Sequence, residues 1–355
     1  MNFRFRSRRI SGILAVLPRR EVSFLEEMEN YNFPEARSRK LKEIMGYDKR
    51  RITEPGVCVS DLAVFGLQSL FDRNLLKPEE IGALLVLTSS ADYILPGTSH
   101  VIAGCLGLKH DMVCVDINQA CAGFVVGLMQ SCGMLAHEGI RKIVMINGDV
   151  LSQRTSPKDR SLYPLVGDAV AITIVERDPE DSIIYGESRT DSSRRMALMI
   201  PAGGVRLPCS AQTAVMEDDG DNNMRAKDHF RMDGASIFNF VMSEVPPLVE
   251  SLLSTACVSP EEVDYFLFHQ SNRFMLQKLA NKMKIPFSKV PHNVVEQFGN
   301  SSGATIPVAV TLNLAEKLKN GSSLACLVGY GGGLTWASLL MRMGGLSFCE
   351  MIDFP

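Results

Sequence analysis

A cysteine, a histidine and an asparagine at three separate points of the chain could together carry acyl-transfer chemistry. Cys121 lies in Asp116-Ile-Asn-Gln-Ala-Cys-Ala-Gly-Phe124, where the apolar run Met112–Val115 predicts a buried strand and Ala122–Gly133 predicts a helix. A thiol at that junction has backbone N–H groups and the positive end of a helix dipole beside it, which favours the nucleophilic thiolate. His269 directly follows the predicted strand Val263–Phe268, in Phe268-His-Gln-Ser-Asn272. Asn300 stands in the small-residue loop Phe298-Gly-Asn-Ser-Ser-Gly-Ala-Thr305, which opens a predicted helix over Gly303–Leu318. Gly329-Tyr-Gly-Gly-Gly333 adds a turn whose backbone N–H groups can approach a substrate without side-chain obstruction. Singly, each has a plain structural reading: a thiol packed as a small hydrophobe, a polar cap at a strand end, a turn with an N-cap. Together they form a Cys/His/Asn set, which by itself does not separate a hydrolase from an acyltransferase.

The elements that must position these groups alternate between strand and helix. Ile10–Leu17 predicts a first strand, residues 22–45 two short helices around Pro34, and Ser60–Arg73 an amphipathic helix. Ile81–Leu87 predicts a buried strand, Thr88–Gly97 a loop, Ser99–Leu106 a helix, and Lys142–Ile146 and Val170–Val175 two more strands. The second half repeats the scheme: a helix over 236–256, the His269 strand, a helix over 271–283, a short strand near Val290, a strand over Leu324–Val328 and a final strand over Thr335–Met343. Continuous apolar strands between helices predict an α/β sheet covered on both faces. A Pro-Glu-Glu turn precedes a buried strand in each half, at 78–80 and 260–262, and hints at internal duplication. Residues 190–232, rich in Asp, Ser, Gly and Arg, predict an irregular surface segment.

Composition narrows the class. With 355 residues the chain can form two core-sized units, and 46% apolar with 22% charged residues is the make-up of a globular protein. A net charge of −3 gives no reason to expect nucleic acid as a partner. The nine cysteines are scattered without a CxxC pair, which suits reduced thiols in the cytoplasm, and the six histidines are too dispersed to suggest a metal site. Arg4, Arg6, Arg8 and Arg9 before an apolar run superficially suggest a signal peptide, but the run is short, holds Ser11 and Gly12 and ends at Pro18. A first strand and turn is the preferred reading, and no apolar run reaches the ~18 residues that span a bilayer.

The residues also carry a resemblance. Gln119-Ala-Cys-Ala-Gly-Phe124, His269-Gln-Ser-Asn272, Gly299-Asn-Ser-Ser-Gly-Ala304 and Gly331-Gly-Gly-Leu-Thr-Trp336 are similar, in order and over nearly the whole chain, to the motifs of the β-ketoacyl-(acyl carrier protein) synthase III family of the thiolase-like superfamily. Leu95-Pro96, Asp159-Arg160 and Gly167-Asp168 match as well. The resemblance implies a thiolase-like fold of two duplicated α/β halves, 1–178 with the nucleophile and 179–355 with His and Asn, packed as an α-β-α-β-α body. It implies that Cys121 takes an acyl group from an acyl thioester, activated by its helix and by His269. His269 Nε2 and the Asn300 amide would then hold a malonyl thioester through decarboxylation, with the Cys121 and Gly332 N–H groups as oxyanion hole. It further implies a homodimer in which Leu95 lines the partner's acyl pocket. Arg160 and Phe238 would contact substrate, and Lys278, Lys282 and Lys284 an acyl carrier protein. No cofactor is called for beyond acyl-CoA or acyl-carrier and malonyl-carrier thioesters. Three departures bear on the primer: the family's N-terminal tryptophan is missing, Trp336 being the only one, Ala235 stands where an asparagine is usual, and the basic residue expected soon after the His269 motif is shifted, as Arg273. Two readings stay open beside this one: a same-fold acyltransferase making an ester or amide, and a silent partner subunit.

Overall fold

Leu84 and Val86 face one side of their strand and Leu85 and Leu87 the other, and all four are buried because helices cover both faces. This pattern recurs through two mixed sheets in the computed structural model, which describes residues 1–31, 33–219 and 222–355. The strands of the two sheets are β1 (Asn2–Arg6), β2 (Arg8–Pro18), β3 (Ala83–Leu87), β4 (Val113–Ile117), β5 (Lys142–Asp149) and β6 (Ala169–Arg177). They continue as β7 (Ile183–Thr190), β8 (Tyr265–Phe268), β9 (Ser322–Gly331), β10 (Thr335–Gly344) and β11 (Phe348–Phe354). One sheet has the order β11-β2-β6-β5-β3-β4, the other β1-β7-β10-β9-β8.

The run β2-β6-β5-β3 pairs antiparallel, antiparallel, parallel, and β7-β10-β9-β8 pairs in the same senses. The chain passes from one sheet to the other between Arg177 and Ile183, while each terminal strand crosses back: β1 pairs with β7, and β11 with β2.

The longer helices are α1 (Glu35–Met45), α2 (Val59–Asp72), α3 (Thr98–Cys105), α4 (Gly123–Met134), α5 (Gly234–Ala256), α6 (Arg273–Lys282), α7 (Thr305–Asn313) and α8 (Ala315–Asn320). Phe124 and Leu128 of α4 and Ile306 and Val310 of α7 share one core with Leu85 and Met145 of the first sheet and Leu327 and Leu339 of the second. These helices therefore form a middle layer between the sheets. Helices α2 and α3 cover the outer face of the first sheet, through Leu62, Leu67 and Ile102. Helices α5 and α6 cover that of the second, through Phe240, Leu248 and Leu276. The result is a thiolase-like α-β-α-β-α body, and both helices of its middle layer start beside the candidate site.

Several local expectations are corrected. No strand forms near Val290: Pro286 and Pro291 bracket a single tight turn, Phe287–Lys289, because proline cannot donate to a ladder. The helix expected over Gly303–Leu318 is a turn at Ser302–Ala304 followed by α7 and α8, broken at Leu314. β1, β7 and β11 were not anticipated. In β1, Phe3 and Phe5 pack on the central core while Arg4 and Arg6 face away, so the N-terminal arginines belong to an alternating strand. Among the described residues, no helix is long and apolar enough to cross a membrane.

Candidate active site

Cys121 sits in the turn between β4 and α4, which Gly123 N–H closes by donating to Ala120 C=O at 2.8 Å. The end of β9 crosses directly beside it. A Cβ on Gly331 would lie 2.6 Å from Cys121 Cβ and 3.3 Å from Sγ, so only glycine admits this approach. The Ser302 hydroxyl donates to Sγ at 3.6 Å. Burial pushes the Cys121 thiol up to about 11; the Ser302 hydrogen bond and Cys121's own backbone N–H pull it down, and the Asp149 carboxylate pushes it up. The thiol lowering expected at a helix start is thus outweighed by desolvation, and the free protein carries Cys121 as a thiol.

His269 continues β8, its N–H donating to Val328 C=O at 2.8 Å, and its side chain is buried. Burial pushes its basicity down to about 3, against which a backbone hydrogen bond to Ser302 acts only weakly, so the imidazole is neutral at physiological pH. Its Nδ1 lies 2.8 Å from Thr305 Oγ1, which also lies 3.0 Å from Ser302 C=O and accepts from Gln270 N–H at 3.2 Å. The Thr305 hydroxyl has a single proton. Directed at Ser302 C=O, it leaves the imidazole proton on Nδ1 and Nε2 bare; directed at Nδ1, it leaves Nε2–H as a donor. Tyr330 packs edge-on against the ring at 5.4 Å, and its hydroxyl donates to His269 C=O at 3.2 Å.

Asn300 is clamped at both backbone groups: its N–H donates to Leu165 C=O at 2.7 Å, and its C=O accepts from Gly167 N–H at 3.1 Å. Ser302 N–H donates to its side-chain oxygen at 2.9 Å. Because the donor there is a backbone N–H, the accepting atom must be Oδ1, which reserves the Asn300 NH2 for the cavity.

Cys121, His269 and Asn300 all line one cavity of about 750 Å³, with Gly331, Gly332 and Gly333. Its walls are mostly apolar, among them Leu151, Leu198, Met232, Phe238 and Phe240, and Ile44, Met45 and Phe274 also border it. An elongated apolar-bodied substrate with a reactive polar end fits such a space.

The other candidate residues are placed as follows. Phe238 lines the cavity and stacks on Phe274, with ring centroids 5.9 Å apart. Leu95 is not among the lining residues; it projects at 86% exposure beside Ile94 at 89%. Arg160 lies over the Phe33 ring at 4.4 Å. Phe33, an aromatic residue just ahead of an arginine-rich stretch, carries the signal for this contact in the sequence without being a tryptophan. Lys278 turns back over the Phe274 ring at 5.4 Å, and Lys282 Nζ donates to Met242 C=O at 2.7 Å. Lys284 adopts a left-handed φ of 56° just past α6. The roles of Ser302, Thr305 and Tyr330 were not read from sequence either. Among the described residues, no group of three or more His, Cys, Asp or Glu is placed to hold a metal ion.

Comparison with known proteins finds relatives over nearly the whole chain. A family model for 3-oxoacyl-[acyl-carrier-protein (ACP)] synthase III matches residues 115–192, and one for the C terminal part of that enzyme matches residues 253–343. The chain is 32% identical over 300 residues to a β-ketoacyl-[acyl-carrier-protein] synthase III of Streptococcus uberis, covering 84% of this chain and 88% of that one. It is 29% identical over 351 residues to a putative 3-oxoacyl-[acyl-carrier-protein] synthase 3 of Campylobacter jejuni, covering 98% and 97%. A solved 3-oxoacyl-(acyl-carrier protein) synthase from Burkholderia xenovorans superposes with a TM-score of 0.92 at 28% identity, covering 100% of this chain and 99% of that one.

Proposed function

The chain belongs to the β-ketoacyl-(acyl carrier protein) synthase III family of acyltransferases, and from that premise we propose a two-step reaction at Cys121. In the first step Sγ attacks the carbonyl of an acyl thioester, and the C–S bond of the donor breaks. The thiol proton ends on the departing sulfur. The Cys121 and Gly332 N–H groups would hold the tetrahedral oxyanion. A thiol held at about 11 supplies little free thiolate, so proton removal and attack proceed together.

In the second step a malonyl thioester enters, with its thioester oxygen between His269 Nε2–H and the Asn300 NH2. Loss of CO2 leaves an enolate, whose charge those donors stabilise. The enolate carbon attacks the acyl-enzyme, a β-ketoacyl thioester leaves, and the expelled thiolate takes up one proton. Asparagine suits the task because it donates without bringing negative charge to the enolate. A neutral His269 suits it too: its depressed basicity favours donation over long-term proton storage. The thioester substrates carry the chemistry, and no cofactor is required.

The observation that supports this reading most is the Ser302 N–H on Asn300 Oδ1, which turns a donor into the cavity that Cys121 and His269 share. We read acyl carrier protein as a partner and CoA or carrier protein as donor of the primer. The basic α1, whose exposed Arg37 and Arg39 meet the Phe33 ring and Glu35, ends at cavity-lining Ile44 and Met45 and offers a second basic contact beside Lys278 and Lys282. A homodimer is supported by the exposed tip Tyr93, Ile94 and Leu95 and by β4, which lies at the edge of its sheet.

Intact-mass measurement after incubation with a panel of acyl-CoA and acyl-carrier thioesters, followed by malonyl-carrier protein, tests the reaction. Acylation of Cys121, then CO2 release and a β-ketoacyl product, is expected. Acylation that malonyl thioesters cannot discharge would overturn the condensation in favour of transfer to an alcohol or amine.

A further inference from the structure

Ser302 belongs to none of the reacting groups, yet each of its polar groups reaches one of them. Its hydroxyl donates to Cys121 Sγ at 3.6 Å. Its backbone N–H donates to Asn300 Oδ1 at 2.9 Å. Its C=O lies 3.0 Å from Thr305 Oγ1, which stands 2.8 Å from His269 Nδ1. Ser302 is 2% exposed and Thr305 is fully buried, so water does not compete for these bonds. Ser302 also adopts a φ of 55°, in the left-handed region that a serine occupies only when its surroundings impose it. The residue lies between the Asn300 clamp and the first turn of α7, and that conformation is what aims its N–H and C=O in different directions.

We propose that Ser302 is the positioning residue of this site, setting the mutual register of Cys121, Asn300 and His269, with Thr305 as its arm to the histidine. The inference rests on the reading of those three as the reacting groups, and it adds a division of labour. The hydroxyl serves the nucleophile, by donating to sulfur as negative charge develops, with the Asp149 carboxylate as the other acceptor in its reach. The backbone N–H serves Asn300, while the C=O shares the single Thr305 proton with His269 Nδ1, and Nε2–H becomes a donor when that proton turns to Nδ1. Deleting the side chain therefore disables one half of the chemistry, and deleting the Thr305 hydroxyl disables the other.

Alkylation of Cys121 by iodoacetamide as a function of pH, followed by peptide mass, reads the first half without any substrate. The titratable groups facing the thiol are Asp149 at the end of β5, Tyr330 on β9 and His269 across the cavity. They remain in every variant used. In Ser302→Gly, which accepts the left-handed backbone and keeps both backbone arms, the alkylation midpoint should rise by about one pH unit, the low end for a hydrogen bond to a charged group. Malonyl-thioester decarboxylation should stay within roughly threefold of the unaltered protein, since its donors keep their backbone supports. In Thr305→Val the pattern reverses: decarboxylation falls by roughly 10-fold or more while the alkylation midpoint stays put, and Thr305→Ser restores it. Melting temperatures of all variants identify any that fail to fold, and Ser302→Ala then replaces Ser302→Gly. An unmoved midpoint on loss of the Ser302 hydroxyl, or a Thr305→Val variant that shifts alkylation and decarboxylation alike, would overturn the proposal. Because alkylation needs no acyl donor, these outcomes remain separate from failure of the condensation reading itself.

Discussion

Substituting Gly331 by alanine tests the proximity of β9 to the nucleophile. The added methyl group would stand 2.6 Å from Cys121 Cβ, whereas ordinary van der Waals contact needs 3.4–4 Å, so the two backbones must part by about 1 Å. Gly331 lies outside the left-handed region, so alanine brings no backbone strain and the effect is purely one of displacement. A displacement of that size separates Sγ from the oxyanion donors, and a 1 Å misplacement costs roughly 10²-fold in rate, about 2.7 kcal/mol of barrier. Gly332→Ala is the matched control: its Cβ would meet nothing nearer than Ala120 Cβ at 3.6 Å, and its N–H is retained. The assay is the time course of Cys121 acylation by intact mass, with melting temperature recorded for both variants. Gly331→Ala should be slowed roughly 10²-fold and Gly332→Ala only severalfold. If Gly331→Ala acylates as fast as the unaltered protein with an unchanged melting temperature, the closeness of this turn does not matter to the chemistry and the oxyanion argument fails with it.

Three other outcomes follow from the same geometry. Asn300→Ala should reduce malonyl decarboxylation by roughly 10²-fold while leaving Cys121 acylation nearly intact; equal losses in the two half-reactions, measured by CO2 release and by mass, would count against its donor role. Leu95→Phe should shorten the longest acyl chain accepted in the thioester panel, and an unaltered chain-length profile would remove Leu95 from the pocket of a dimer. His269 is pushed down from 6.5 to about 3, so between those values the unfolded chain binds a proton that the folded one refuses. Stability then falls as pH drops through that window, by about 2 kcal/mol at pH 5 for this one group. His269→Gln should lose correspondingly less stability between pH 7 and pH 5 in urea titrations, and identical losses would show that the histidine is not buried neutral.

The candidate residues Cys121, His269 and Asn300 are legible because each lies at a strand end or in a small-residue loop, where periodicity stops and composition changes abruptly. The same logic located β3, β5, β8 and β9, whose apolar runs are continuous since both faces are covered. It failed where a strand lacks that signature. β7 mixes Ile183 and Ile184 with Glu187, Ser188 and Arg189, and in β1 only two phenylalanines alternate with the arginines, too short a pattern to stand out. The supporting residues are hidden for another reason. Ser302 acts mainly through its backbone N–H and C=O, whose directions depend on a φ that residue type does not reveal. Phe33 and Arg160 meet across about 130 residues of chain, and only folding juxtaposes them.

Arg50 shows how far from the cavity that support extends. Its guanidinium forms an ion pair with Glu27, the two side chains 2% and 8% exposed, and lies 4.1 Å from the Tyr163 ring. Removing two such charges from water costs several kcal/mol per ion, so net stability is a poor explanation for the pair. Its geometry offers a better one. While one edge of the guanidinium holds Glu27, Nη1 donates to Val166 C=O at 2.8 Å. Val166 forms the bridge to Asn300 and lies between the two residues that clamp the Asn300 backbone, Leu165 and Gly167. Lysine, with a single ammonium, could not hold a carboxylate and this carbonyl in the same fixed plane. The buried ion pair therefore anchors the loop on which Asn300 rests, and Ser302 sets the direction of its amide. Asn300 is thus held from both sides by groups outside the proposed reaction, which is what its proposed role as an enolate donor requires if its aim is to be fixed before the substrate arrives.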